Sequence, residues 1–206
     1  MAYAKATFTD LKQGIADRHD SGTLPTASAT LAFYGRLLNR GVRYCSDKLK
    51  LTKEATLTTV SGTIALPDDF IAIDKVFEGQ TEYSQIPETD VLNQSQAYVY
   101  WISGNHTDGF SLNTTDDVAL TVKYSFRPAE MVNGTDVCII PDPEAVVAYA
   151  YGMLRKSETD PIEDAVASLD ECDERLAELE DVKNINDAFS GFSSVGNSAD
   201  NKYSWE

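Results

Sequence analysis

The sequence predicts an α+β protein: a helical bundle with an inserted, mostly antiparallel β subdomain and an extended C-terminal arm. Two segments, 1–54 and 142–182, repeat apolar residues at the three- and four-residue spacing of amphipathic helices. Between them, residues 55–141 contain stretches in which apolar and polar residues alternate, as they do in half-buried strands. Residues 183–206 are rich in Ser, Gly and Asn, a composition typical of a segment with no core of its own.

Two helices are predicted at the N-terminus. The first has Thr9 as its N-cap and carries Phe8, Leu11 and Ile15 on one side. The second runs from after Pro25 to about residue 48. Its apolar stripe comprises Leu31, Tyr34, Leu38, Val42 and Cys45.

A basic stripe lies roughly opposite the apolar stripe of the second helix. It consists of Arg36, Arg40 and Arg43, spaced by four and three residues. We expect these arginines to pair with carboxylates, either in the same chain or in a neighbouring copy. Gly35 and Gly41 weaken the helix by about 1 kcal/mol each relative to Ala, which suggests positions where another backbone comes close.

The middle segment is predicted to form strands. In residues 118–126 the alternation places Leu120, Val122 and Tyr124 on the core-facing side. Further strands are predicted at 55–60, 63–66 and 71–77, and around the alternating Tyr98, Tyr100 and Ile102. Between two of them, Pro67 interrupts the strand because it has no N–H to donate, and Phe70 is expected to anchor the turn in the core.

Two helices follow the strands. Asp142-Pro143-Glu144 is a helix start, with Asp as N-cap and Pro at the first position, and the helix is expected to end near Ser157. Asp160-Pro161 repeats the signal. The apolar stripe predicted for the last helix consists of Ile162, Val166, Leu169, Cys172, Leu176, Leu179 and Val182. Its other faces are acidic, and they are either solvated or paired with a basic neighbour.

The net charge of −16 is unevenly distributed. Residues 1–54 carry +4, whereas residues 55–141 carry −9 and residues 142–182 carry −10. Segments of opposite sign favour complementary contacts within a subunit or between copies. The shortage of clustered Lys and Arg argues against ordinary nucleic-acid binding, which requires neutralised phosphates.

No pattern in the sequence indicates catalysis, and no cofactor or metal is expected. Neither His19 nor His106 lies in a recognisable motif, and there is no phosphate-binding loop or nucleophile elbow. Asp68-Asp69 and Asp116-Asp117 lack the spacing of a calcium loop and are interpreted as turn and strand-start residues. A hydrolytic site built from carboxylates alone stays open at this point.

The cellular compartment is predicted from two features that the sequence does not show, a membrane-spanning run and an apolar leader. The sequence has no apolar run long enough to span a membrane and no apolar leader at its start, so synthesis in the cytoplasm is expected. Three scattered cysteines, Cys45, Cys138 and Cys172, have no metal or redox spacing and are predicted to be buried free thiols.

The C-terminal segment is predicted to be a docking arm. Aromatic residues are spaced along it, between flexible Ser- and Gly-containing stretches: Phe189, Phe192, Tyr203 and Trp205. Large apolar side chains on a pliable backbone suit pockets on a partner surface.

The order of these elements resembles that of the head–tail adaptor proteins of tailed bacteriophages. Their longer members, which have a β subdomain, are called tail tubular protein A. The resemblance covers roughly residues 25–182. It is carried by Gly62, Thr63, Leu66, Pro67, Asp69, Phe70, Tyr124, Pro128 and Pro141.

The resemblance implies a structural role in the virion neck. Such adaptors form a ring, typically a dodecamer, beneath the portal protein. They extend the DNA channel without sequence-specific binding and give the next tail component (nozzle, stopper or tail terminator) a platform. In that family a C-terminal extension often docks on the portal. The alternatives are a different neck component, such as a stopper or tail terminator, and a cytoplasmic α+β enzyme or ligand-binding protein.

Overall fold

The computed structural model of the chain describes residues 5–19, 22–89, 97–105, 107–158 and 162–195, of which 182–195 are described by their backbone alone. It confirms the α+β class. The chain divides into two compact units. The β unit is Lys50–Ala129, and the helical unit comprises the chain on either side of it.

Four helices lie in the described part of the helical unit, two before the β unit and two after it. They are α1 (Phe8–His19), α2 (Ser28–Leu49), α3 (Pro143–Ser157) and α4 (Ile162–Val195). The start of α3 is as predicted, because the Asp142 side chain accepts a hydrogen bond from the N–H of Glu144. Asp160-Pro161, the predicted start of the last helix, lies outside the described residues.

The N-terminus of α1 corrects one prediction. Thr7, not Thr9, is the N-cap: its hydroxyl accepts from the N–H of Asp10 at 3.2 Å, and the Asp10 carboxylate accepts from the N–H of Thr7 at 2.8 Å. This reciprocal pair is a capping box, which satisfies two free N–H groups of the first turn. Thr9 lies inside the helix and donates its hydroxyl to the carbonyl of Gly134.

The predicted apolar sides of α1 and α2 are largely confirmed. Those on α1 are fully buried, as are Tyr34, Leu38, Val42 and Cys45 on α2, whereas Leu31 is only partly covered. Close approach at Gly41 is also confirmed, because a β-carbon there would lie 3.1 Å from the carbonyl oxygen of Val146 in α3.

The buried face of α4 differs from the predicted stripe in its first half. Ile162 is 80% exposed and Val166 is 49% exposed. The buried residues are Ala165 and Ser168 together with the predicted Cys172, Leu176 and Leu179. The predicted Leu169 is partly covered, and the side chain of Val182 lies outside the described residues. Small residues such as Ala165 and Ser168 do not stand out in a hydrophobic pattern, yet they allow two helix backbones to lie close together, whereas Ile or Val would hold them apart.

Eight strands form two four-stranded sheets in the described β unit. They are β1 (Thr52–Thr58), β2 (Thr63–Ala65), β3 (Phe70–Glu78), β4 (Thr81–Glu82), β5 (Ser84–Gln85), β6 (Val99–Asn105), β7 (Gly109–Thr114) and β8 (Ala119–Phe126). The sheet orders are β1-β8-β3-β4 and β2-β7-β6-β5. Every pairing is antiparallel except that of β5 with β6, so the prediction of a mostly antiparallel subdomain is confirmed.

The core of the β unit is built around β8. Leu120, Val122 and Tyr124 are buried, as the alternation predicts, and they pack with Val76 of β3 and Leu112 of β7. Leu120 and Val122 are wholly inaccessible to solvent. Burying a side chain of this size contributes roughly 1.5–3 kcal/mol.

The predicted alternation ending at Ile102 is only partly correct. Tyr100 is buried and Ile102 is partly covered, but Tyr98 precedes β6 and is 50% exposed. Its φ of 63° places it in the left-handed region, so it does not continue the extended backbone of the strand.

The Pro67 turn joins β2 to β3 as predicted. The N–H of Phe70 donates to the carbonyl of Pro67 at 2.9 Å. The Phe70 ring then packs against Phe110 and Tyr124, with centroid distances of 5.8 and 6.1 Å. The aromatic side chain therefore fixes the turn to the core.

Candidate assembly surfaces

The basic stripe of α2 is exposed along its whole length. Arg43 forms an ion pair with Glu130 of the same chain. Arg36 lies over the Phe33 ring at 5.6 Å. Within the described residues, neither Arg36 nor Arg40 forms an ion pair with a carboxylate. The two ends of the stripe therefore differ: Arg43 is neutralised internally, and the other two arginines keep their charge at the surface.

A shallow groove of about 250 Å³ lies beside Arg36, between α1 and α2. We call it the α1–α2 groove. Its apolar lining includes Leu31, Ala32, Met131 and Val132, and the Val132 side chain is 73% exposed. Two cations border it. They are Arg36 and Lys12, whose ammonium group lies 3.9 Å from the centre of the Phe8 ring.

The outer side of α4, opposite its buried face, is acidic. We call it the outer α4 face: its exposed carboxylates are Glu163, Asp170, Glu174, Glu178 and Asp181. None of the five forms an ion pair with a described residue. The exposed Ile162 and Val166, one helical turn apart, form an apolar edge on this face.

Other acidic residues of the helical unit hold the bundle together. Arg18 of α1 donates two hydrogen bonds to Glu171 of α4, at 2.8 and 3.0 Å, and a third to Glu144 of α3. Arg175 donates to Glu171 and to Asp142, both at 3.0 Å. The hydrogen bonds from Arg18, reinforced by Arg175, lower the pKa of Glu171. The internal carboxylates are thus paired, which sets them apart from those of the outer α4 face.

The predicted docking arm is only partly within the described residues. Helix α4 continues to Val195, beyond the predicted end near residue 182, so 184–195 is helical in its backbone rather than extended. Phe189 and Phe192 lie on this helix, but their side chains are not described, and Tyr203 and Trp205 lie outside the described residues. A signal for the longer helix was present. Ile185, Ala188, Phe189 and Phe192 recur at the spacing of one helix face.

The paired aspartates of the β unit contribute to turns, as the sequence indicated. Asp69 accepts from the Lys53 ammonium at 2.6 Å and from the Tyr124 hydroxyl at 3.4 Å. Asp117 accepts from the N–H of Gly62 at 2.7 Å. In the described part of the chain, no three His, Cys, Asp or Glu side chains lie together as metal ligands would.

The histidine and cysteine side chains do not form a reactive site in the described structure. His19 contacts Glu158 at 2.8 Å, and His106 lies outside the described residues. The three cysteines are free and buried, as predicted. The hydrogen bond between the thiols of Cys45 and Cys172, together with burial, raises the pKa of Cys45, and burial raises that of Cys138. Cys45 and Cys138 therefore have little thiolate character at neutral pH, whereas the hydrogen bond from Cys45 lowers the pKa of Cys172.

The β unit has an open groove of about 460 Å³ next to the Pro67 turn. Its lining combines apolar side chains, including Leu66, Phe70 and Ile71, with the charged Asp108 and Arg127. The described lining residues of the groove include no histidine–carboxylate or cysteine–histidine pair.

Comparison with known protein families gives a match over most of the chain. The family model described as SU10 adaptor protein matches residues 6–195, which include the β unit and nearly all of the described helical unit. No curated protein matches the sequence. None of the described helices has the length and apolar character needed to cross a membrane.

Proposed function

The chain belongs to the SU10 adaptor protein family, and from this membership we propose that it forms a ring beneath the portal of a tailed phage. As a phage adaptor it is a structural protein of the neck. The ring, of twelve copies, extends the DNA channel and gives the next tail component its platform. The observation that carries the proposal is the length of the family match, which runs through both units.

The charges of the helical unit support a ring. Among the described residues, Arg36 and Arg40 of α2 and the five carboxylates of the outer α4 face have no ion-pair partner, so two different surfaces of one subunit are complementary. Contacts between different surfaces of identical subunits generate rings when the rotation closes. Charge complementarity also fixes the register of neighbouring subunits.

The net charge of −16 supports a channel role. DNA that moves through the neck must not adhere to the wall, and a predominantly negative protein repels the phosphate backbone. The charge is that of the whole chain rather than of particular residues lining the channel.

The C-terminal segment is proposed to dock on the portal. Its four aromatic residues, Phe189, Phe192, Tyr203 and Trp205, supply apolar anchors. The finer likeness to tail tubular protein A stays a prediction. A stopper or tail terminator would occupy a lower tier of the neck and would contact an adaptor rather than the portal. The enzyme alternative is disfavoured by membership of a structural family.

Mixing the purified chain with the portal protein of the same phage tests the proposal. Native mass spectrometry should give a complex with one copy of the chain per portal subunit, and negative-stain images should show a ring on one face of the portal. If the chain instead binds a ring formed by another adaptor protein of the phage, and does not bind the portal, it would be a lower component of the neck. A stable dimer that binds neither would contradict the proposal.

A further inference from the structure

We propose that neighbouring subunits contact each other through the α1–α2 groove of one copy and the outer α4 face of the next. The inference rests on the proposed ring and assigns the surfaces that build it.

The groove has the chemistry of a helix-binding surface. Apolar side chains line it, including Leu31 and the largely exposed Val132. Arg36 and Lys12 border it, and Arg40 follows Arg36 one turn along α2. The occupant that suits such a surface is a helix with apolar residues along one edge and carboxylates beside them.

The outer α4 face provides that pattern within the same chain. Ile162 and Val166 lie one turn apart and are exposed, so they can enter an apolar groove. Asp170 and Glu174 are likewise one turn apart, which is the spacing of Arg36 and Arg40. Two aligned ion pairs beside two apolar contacts set both the position and the direction of the helix.

A second copy is the occupant to which these observations point. The described part of the chain leaves both surfaces uncovered, because Ile162 is 80% exposed and Arg36 and Arg40 have no carboxylate partner there. Arg43, by contrast, already pairs with Glu130. Because the groove and the α4 face are different surfaces, their contact is head-to-tail and repeats around a ring.

Charge reversal with rescue tests the contact in portal-bound assemblies of the full chain. The Arg36→Glu/Arg40→Glu variant and the Asp170→Arg/Glu174→Arg variant should each lower ring occupancy on the portal at least tenfold. The chain that carries all four substitutions should regain most of the wild-type occupancy, since opposite charges meet again. As a matched control, Lys5→Glu/Lys156→Glu reverses two exposed cations elsewhere and should assemble normally.

Each outcome is decisive once folding has been checked by circular dichroism. Normal assembly of the two reversed variants would overturn the inference, and so would failure of the fourfold variant to recover. If a reversed variant does not fold, the milder Arg36→Gln/Arg40→Gln variant is tested in its place. We expect it to reduce the occupancy of the ring on the portal, and unchanged occupancy would contradict the inference. If the wild-type chain forms no ring on the portal, the proposed function fails instead.

Discussion

Gly152 of α3 lies against Ala165 of α4 so closely that a β-carbon added to it would be 3.1 Å from the Ala165 carbonyl oxygen and 2.9 Å from Leu169 Cγ. One of these neighbours is backbone and cannot rotate away. The absence of a side chain at Gly152 therefore lets the two helices approach closely at Ala165 and Leu169.

Replacing Gly152 with Ala should therefore destabilise the helical unit. Overpacking costs about 1–3 kcal/mol, partly offset by the roughly 1 kcal/mol that Ala gains over Gly in a helix. We expect a lower free energy of unfolding in a urea titration. Lys156→Ala, at an exposed position of the same helix, is the control and should change stability by no more than about 0.5 kcal/mol. Equal stability of the two variants would contradict the close contact between Gly152 and Ala165.

Leu120→Ala should destabilise the β unit by about 2–5 kcal/mol, since it removes a fully buried side chain and leaves a cavity. The matched control is Ile71→Ala on β3, where 45% of the residue is already exposed and the loss should be much smaller. Thermal unfolding followed by circular dichroism measures both. A Leu120→Ala melting temperature equal to that of the control would refute the packing around β8.

Acid sensitivity should depend on Glu171. Its pKa is held below the ordinary value of 4.5, chiefly by hydrogen bonds from Arg18. The stability it contributes is therefore complete above pH 4.5 and is lost as the pH falls through the folded-state pKa. Glu171→Gln should be less stable than the wild type near neutral pH, and the difference should shrink in acid.

Glu178→Gln is the control for that experiment, because Glu178 is exposed and has no ion-pair partner among the described residues. Near neutral pH its free energy of unfolding should lie within about 0.5 kcal/mol of that of the wild type. If the free energy of unfolding of Glu171→Gln changes with pH in parallel with that of the wild type, the fold does not selectively stabilise the charged form of Glu171.

Deletion of residues 184–206 should give folded subunits that no longer attach to portal-bearing heads. Two variants test the two parts of the segment individually. Phe189→Ala/Phe192→Ala alters the part within α4, and Tyr203→Ala/Trp205→Ala alters residues 196–206. Binding to tail-less heads of the same phage, followed by sedimentation, measures attachment. Wild-type attachment by the deletion variant would reduce the segment to a passive extension of the chain.

Local signals in the sequence were sufficient for most elements. The alternation at 118–126 and the Asp142-Pro143-Glu144 start each reflect contacts within a few residues, and both match the structure. The N-cap of α1 is an exception: Thr9 is predicted, whereas Thr7 caps the helix through its reciprocal hydrogen bonds with Asp10.

Features set by distant parts of the chain could not be predicted. The division of the strands into two sheets, and the parallel pairing of β5 with β6, depend on contacts far apart in sequence. The close contact of α3 with α4 involves Gly152, which has no side chain to enter a hydrophobic pattern. For the candidate surfaces, the arginine stripe was visible in the sequence, but the internal pairing of Arg43 with Glu130 was not.

Cryo-electron microscopy of the virion neck tests the central claim most directly. A reconstruction should show this chain as a ring in direct contact with the lower face of the portal, one copy per portal subunit, around an open channel. Density for the chain at a lower tier of the neck, or its absence from the mature particle, would contradict the account.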